Sequence, residues 1–116
     1  MSSNTVYDLK ELFEDQMIFQ QLLGFTVPED DPEMLAHHAI GLITEVGEVM
    51  QADKRWKKNK RNDHYDKQEK IDELADVIIY LINMCLYSKV ATDTFYKAVA
   101  RKIKLNKERY LKEDQK

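Results

Sequence analysis

From residue 33 to residue 116 the chain contains no proline, and its three glycines fall at 24, 41 and 47. So long a stretch without the strongest helix breaker suits long helices and lacks the turn residues that a β fold needs at each reversal. Apolar residues recur within it at three- and four-residue spacings, so an all-α fold is expected. The first helix is read from about Thr5 to Leu23, with Thr5 and Asp8 as a capping box and Gly24 as its stop. Asp31 caps the second, with Pro32 in its first turn, and that helix is read to about Trp56. After a connection, "KKNKRNDHYD" (57 to 66), a third helix runs from Lys67 to Ser88. The fourth starts at Thr92 and Asp93 and ends near Lys112.

A chain of 116 residues, with 34% charged and 43% hydrophobic residues, is read as one domain over residues 1–116. The start "MSSNTVYD" lacks the apolar segment of a secretory signal, and no apolar run approaches the ~20 residues of a bilayer span. Cys85 is the only cysteine, which excludes an intrachain disulfide. A cytoplasmic protein is therefore expected, without membrane attachment. A net charge of −3 does not suit a nucleic-acid binder.

The third helix poses the central problem. "DELADVIIYLINMCLY" (72 to 87) is apolar on nearly every side, yet it carries Glu73 and Asp76. A lone carboxylate in apolar surroundings is costly unless something compensates it. "AIGLITEVGEVM" (39 to 50) repeats the pattern with Glu45 and Glu48. At 100° per residue, Glu45 and Glu48 share a stripe with His38, Gly41 and Ala52. The stripe on the third helix is Glu69, Glu73, Asp76, Tyr80, Asn83 and Tyr87. Two neighbouring helices with acids at the edge of their apolar faces would bring four carboxylates together. Such a cluster repels itself unless cations sit among the acids, and oxygen-only ligands suit Mg²⁺, with Mn²⁺ as a substitute. A di-iron bundle needs Glu-x-x-His on two helices, and no glutamate here is followed by histidine at that spacing. The plain alternative is a set of rim salt bridges in a non-catalytic helical partner-binding module.

"EVGEVMQADKRW", "DELADVIIYL" and "KIKLNKERY", in that order, resemble the MazG-like nucleotide pyrophosphohydrolases. The resemblance covers about residues 34 to 110, and 24 residues separate its Glu-x-x-Glu from its Glu-x-x-Asp. It implies a four-helix bundle completed by oligomerisation, a homodimer or dimer of dimers with sites near the subunit interface. The implied activity is Mg²⁺-dependent hydrolysis of a (deoxy)nucleoside triphosphate to the monophosphate and pyrophosphate. A non-standard or pyrimidine nucleotide and a pool-cleaning role are expected, with phosphoribosyl-ATP as the alternative substrate.

Under this resemblance Glu45, Glu48, Glu73 and Asp76 match metal ligands, with Glu48, or else Glu45, taking the proton of the attacking water. Tyr80 matches a position that borders the nucleotide in some relatives. Lys102, Asn106 and Tyr110 match a motif that contacts substrate, and the helical stripe is read as turning Lys102 and Asn106 toward the bundle. Many members carry a further glutamate where this chain has Thr44.

Three other features have two readings each. The run "KRWKKNKR" (54 to 61) holds six basic residues in eight, which suits a solvated helix end or the attraction of phosphates. Trp56 either stacks on a base or covers the core at the helix end. His38 is read as a partly buried structural histidine or a substrate contact. Gly41 and Gly47 are unfavourable inside a helix. Close approach of backbone or ligand at the carboxylate face would explain Gly41, and tight helix packing both.

Overall fold

Capping chemistry sets where the helices begin. In the computed structural model, which describes residues 8–57 and 65–114, the chain forms α1 (Leu9–Leu22), α2 (Pro32–Ala52), α3 (Lys67–Leu86) and α4 (Thr92–Asp114). The Asp8 carboxylate accepts the Glu11 N–H at 2.8 Å, so Asp8 itself caps α1 and the helix starts four residues after the expected Thr5. Thr5 lies outside the described residues, as do 58–64 of the connection, including His64 and the second half of the basic run. Gly24 ends α1 as expected, with φ +97°. Asp31 caps α2 through the Met34 N–H, and Asp66 caps α3 through the N–H groups of Gln68 and Glu69.

The second helix stops at Ala52, four residues short of the expected end. Asp53 turns extended there, and its Oδ1 accepts the Arg55 backbone N–H at 3.2 Å. A short acidic side chain that satisfies a backbone donor two residues on competes with continuation of the helix. The same carboxylate pairs with the Arg55 guanidinium at 2.7 Å and with Lys70 of α3 at 3.1 Å. Arg55 and Lys70 both stand over the Tyr65 ring, at 3.7 and 4.9 Å from its centroid. Asp53 therefore ties the end of α2 to the start of α3, and these partners hold its carboxyl well below the usual carboxylate range.

Helices α2 and α3 are antiparallel and form the main packed pair. Helix α1 lies against α3, and α4 meets α1 through Phe13, whose ring centroid is 5.9 Å from Phe95 and 6.1 Å from Tyr96. The segment after α1 returns along the end of α3: the N–H groups of Glu29 and Asp31 donate to the carbonyls of Leu86 and Tyr87, each at 2.9 Å.

Apart from Ala52 at the end of α2, the buried apolar residues gather at one end of the fold, around Phe13, Val27, Ile82, Cys85, Leu86 and Tyr87. Helix α3 is therefore not buried all round, as its sequence suggested. Ile82, Asn83, Cys85, Leu86 and Tyr87 are buried, whereas Leu74, Ile78 and Ile79 stay exposed. On α2, Ile40 and Ile43 are 66% and 71% exposed. No helix of the described residues is long and apolar enough to cross a membrane.

Two tests follow from this packing. Phe13 is 3% exposed, and Phe13→Ala should cost about 3–5 kcal/mol in urea unfolding. Asp53→Asn should lower the melting temperature modestly at neutral pH, since the pair is partly solvated. Its depressed carboxyl stabilises the fold above the ordinary value of about 3.9, and that contribution fades as pH falls below it. Wild-type and variant melting temperatures should therefore converge as the pH is lowered past that value.

Candidate metal centre

The antiparallel register of α2 and α3 brings their acids face to face. Carboxylate oxygens of Glu45, Glu73 and Asp76 all lie within 4.8 Å of one another, and each residue is half-buried. Glu48, one turn along α2, is exposed and stands outside this triplet. Its charge still acts on Glu73. The Glu73 carboxyl is pushed above its usual value by desolvation, then by the charges of Glu45, Asp76 and Glu48 and a hydrogen bond with Glu45.

That electrostatic state tests whether a cation fits. The ion pairs among the described residues, Arg55–Asp53 and Lys70–Asp53, lie at the end of α2 and do not involve the triplet. An all-oxygen, net-negative donor set whose charges raise one another's cost suits a hard divalent cation, which would relieve that repulsion. Glu45, Glu73 and Asp76 could therefore hold a metal ion.

Above the triplet, toward the buried end, the same register continues in polar and aromatic contacts. Tyr80 lies one turn beyond Asp76, half-buried, with its ring against Gly41 of α2. His38 is buried, 5.8 Å from the Tyr80 ring centroid and stacked on Tyr87 at 5.0 Å. Its Nδ1 lies 3.3 Å from the Asn83 Nδ2, while the Asn83 Oδ1 accepts from Gln16 of α1 at 2.9 Å. With Asn83 oriented in this way, its amide donates to Nδ1, which places the neutral ring's proton on Nε2. Burial, and then the charge of His37, hold the His38 imidazole below its usual value. The Tyr87 hydroxyl donates to the Gln20 Oε1 at 2.7 Å.

Asn83 and Tyr87 were the next residues along the acidic stripe, and they do not line an open pocket. They are 4% and 1% exposed and belong to the interior network. Gln16 and Gln20 of α1 complete that network, although the first helix offered no recognisable motif. Their signal was positional: both fall on the stripe of Leu9, Leu12, Phe13 and Met17, where a polar side chain needs a partner.

The remaining candidates lie further away. Trp56 follows the end of α2, 54% exposed, and its indole N–H donates to the Met50 carbonyl at 3.2 Å. Lys102, Asn106 and Tyr110 lie on the part of α4 where every described side chain from Val99 onward is exposed. The expectation that Lys102 and Asn106 turn toward the bundle does not hold within one chain, because α4 meets α1 only near its start. Two apolar grooves, beside α1 and α3 and at the α3–α4 turn, contain none of the four acids.

The sequence profile of a family described as dUTPase matches residues 8–114. Comparison with curated proteins gives no match, and comparison with solved structures gives none. The matched region takes in all four helices and every acid of the cluster. The chain belongs to the dUTPase family, within the MazG-like all-α nucleoside triphosphate pyrophosphohydrolases.

Proposed function

We infer that the protein hydrolyses a nucleoside triphosphate between the α and β phosphates, with Mg²⁺ as cofactor, in a nucleotide-pool cleaning role. The observation that carries this reading is the meeting of Glu45 from α2 with Glu73 and Asp76 from α3, in a chain matched by the family over residues 8–114. The family description makes dUTP the first substrate to test.

Glu45, Glu73 and Asp76 would hold the cation, with Glu48 at the rim as a fourth ligand or as the base. When bound, Mg²⁺ would neutralise the polyphosphate and polarise an attacking water. Glu48 is the best placed of the four acids to take that water's proton, since it is exposed and outside the triplet. The water oxygen bonds to phosphorus, the bridging P–O bond between the α and β phosphates breaks, and pyrophosphate leaves. Tyr80, one turn from Asp76, borders the nucleotide on the side toward the buried end. His38 is covered by its neighbours and acts through Tyr80.

A second copy of the chain is part of the proposal, as a homodimer or dimer of dimers. The exposed apolar residues of α2, α3 and α4 support it, because a single chain leaves Ile40, Ile43, Leu74, Ile78 and Ile103 in water. Lys102, Asn106 and Tyr110 would then contact substrate near the subunit boundary, with Trp56 a further candidate against the base.

Incubation with dUTP and each of the eight common NTPs and dNTPs plus Mg²⁺, with product identification, tests the reaction. Monophosphate and pyrophosphate are expected, and EDTA should abolish turnover; diphosphate and phosphate would overturn the mechanism. Glu48→Ala and Asp76→Ala should each reduce turnover by about 100-fold or more while circular dichroism stays helical. Light scattering should return the mass of two or four chains, and a monomer at micromolar concentration would remove the subunit-boundary part of the proposal.

A further inference from the structure

Gly41 sits on α2 one turn before Glu45, and Tyr80 sits on α3 one turn after Asp76. These are facing positions of the antiparallel pair, next to the carboxylate triplet. A Cβ added at Gly41 would run into the Tyr80 ring, with Cδ1 at 2.7 Å and Cζ at 3.0 Å, and Cε1 closer still. Contacts that short are not tolerated, so any larger residue at 41 must move the ring. Gly47, on the same helix, meets nothing within 4 Å. Gly41 is thus the glycine of α2 whose missing side chain is occupied by a neighbour.

The ring is held from a second direction. His38, one turn before Gly41, packs on it at 48° and 5.8 Å. His38 is itself fixed by stacking on Tyr87 and by Asn83, which Gln16 orients. Backbone on one side and an immobilised imidazole on another leave the Tyr80 ring little freedom to turn. Its place relative to Glu45 and Asp76 is therefore set by α2 as much as by α3.

We propose that Gly41 is a positioning residue of the nucleotide site: by lacking a Cβ it seats the Tyr80 ring against α2, and the seated ring forms the wall beside which the substrate's nucleoside part binds. The proposal rests on the hydrolase reading above, which places phosphates at Glu45, Glu73 and Asp76. A nucleotide anchored there has its sugar and base within reach of an aromatic face one helical turn away. Seating the ring before substrate arrives removes the cost of ordering it on binding. Gly41 touches neither metal nor phosphate in this arrangement and acts only through the ring.

The test is a double-mutant cycle read in two ways. Gly41→Ala should raise KM for the nucleotide about ten-fold with kcat within about two-fold, the pattern of lost substrate binding without lost chemistry. Mn²⁺ affinity, measured by electron paramagnetic resonance without nucleotide, should not change. In a Tyr80→Ala background the added methyl should have no effect on KM. Thermal melting supplies a readout independent of activity. Alanine normally stabilises a helix interior relative to glycine. Gly41→Ala should therefore lower the melting temperature of the wild type and raise that of Tyr80→Ala; Tyr80→Leu serves as background if the alanine variant does not fold. An active wild type whose KM is unmoved by Gly41→Ala, or a melting shift of the same sign in both backgrounds, would overturn the role of Gly41. A wild type that turns over no nucleotide, with the melting shifts still opposite in sign, would overturn the hydrolase reading and with it the site role of the seated ring.

Discussion

Three carboxylates whose oxygens lie within 4.8 Å repel one another, and the packing of α2 on α3 is what keeps them together. Repulsion alone would splay the two helices at this level. Two sets of contacts oppose that, one on each side of the acids. Toward the connection, Asp53 holds Lys70 across the pair. Toward the buried end, His38 meets Asn83 and stacks on Tyr87, and the Tyr80 ring fills the space left by Gly41. The acids sit between two clamps, so the raised carboxyl of Glu73 reflects a position imposed by the rest of the fold.

Much of this arrangement was legible in the sequence because helical periodicity is local. Asp31, Pro32 and Gly24 announce helix ends through their own backbone preferences, and the acids at 45, 48, 73 and 76 stand out against apolar neighbours. Less legible were features that depend on a partner distant in the chain. Asp53 ends α2 early because its carboxylate has Arg55 and Lys70 to bind, and Lys70 is 17 residues away. Asn83 and Tyr87 share the acidic stripe by angle, yet α1 covers them, and angle on one helix does not say where a neighbouring helix ends. Tyr80 reads as a substrate-facing aromatic, but its ring occupies the absent side chain of Gly41 through the packing of α2 on α3, which the pattern of neither helix alone encodes.

The distribution of buried residues has its own physical logic. The dense interior lies around Phe13, Ile82, Leu86 and Tyr87, where α1, the returning segment and the first turns of α4 converge on α3. Over the first fifteen residues of α3 no described side chain is fully buried, and that is where the acids are. A half-open site suits chemistry that must admit a hydrated cation and a charged substrate. Apolar burial at one end supplies cohesion, the polar groups set within it align the helices, and Asp53 with Lys70 ties the other end.

The amide, imidazole and hydroxyl groups that connect Gln16, Gln20, His38, Asn83 and Tyr87 have a consequence beyond stability. Apolar surfaces tolerate sliding, since one aliphatic contact replaces another at little cost. A buried hydrogen-bonding group deprived of its partner is penalised by about 1–3 kcal/mol. Were α3 displaced by one turn against α1 and α2, Tyr87 would leave Gln20, and Asn83 would leave both Gln16 and His38. Several such penalties would fall due together, while the greasy contacts scarcely changed. These side chains work as a vernier: they reject misaligned pairings of the helices, and so decide that Glu45 faces Asp76 and not a residue one turn away.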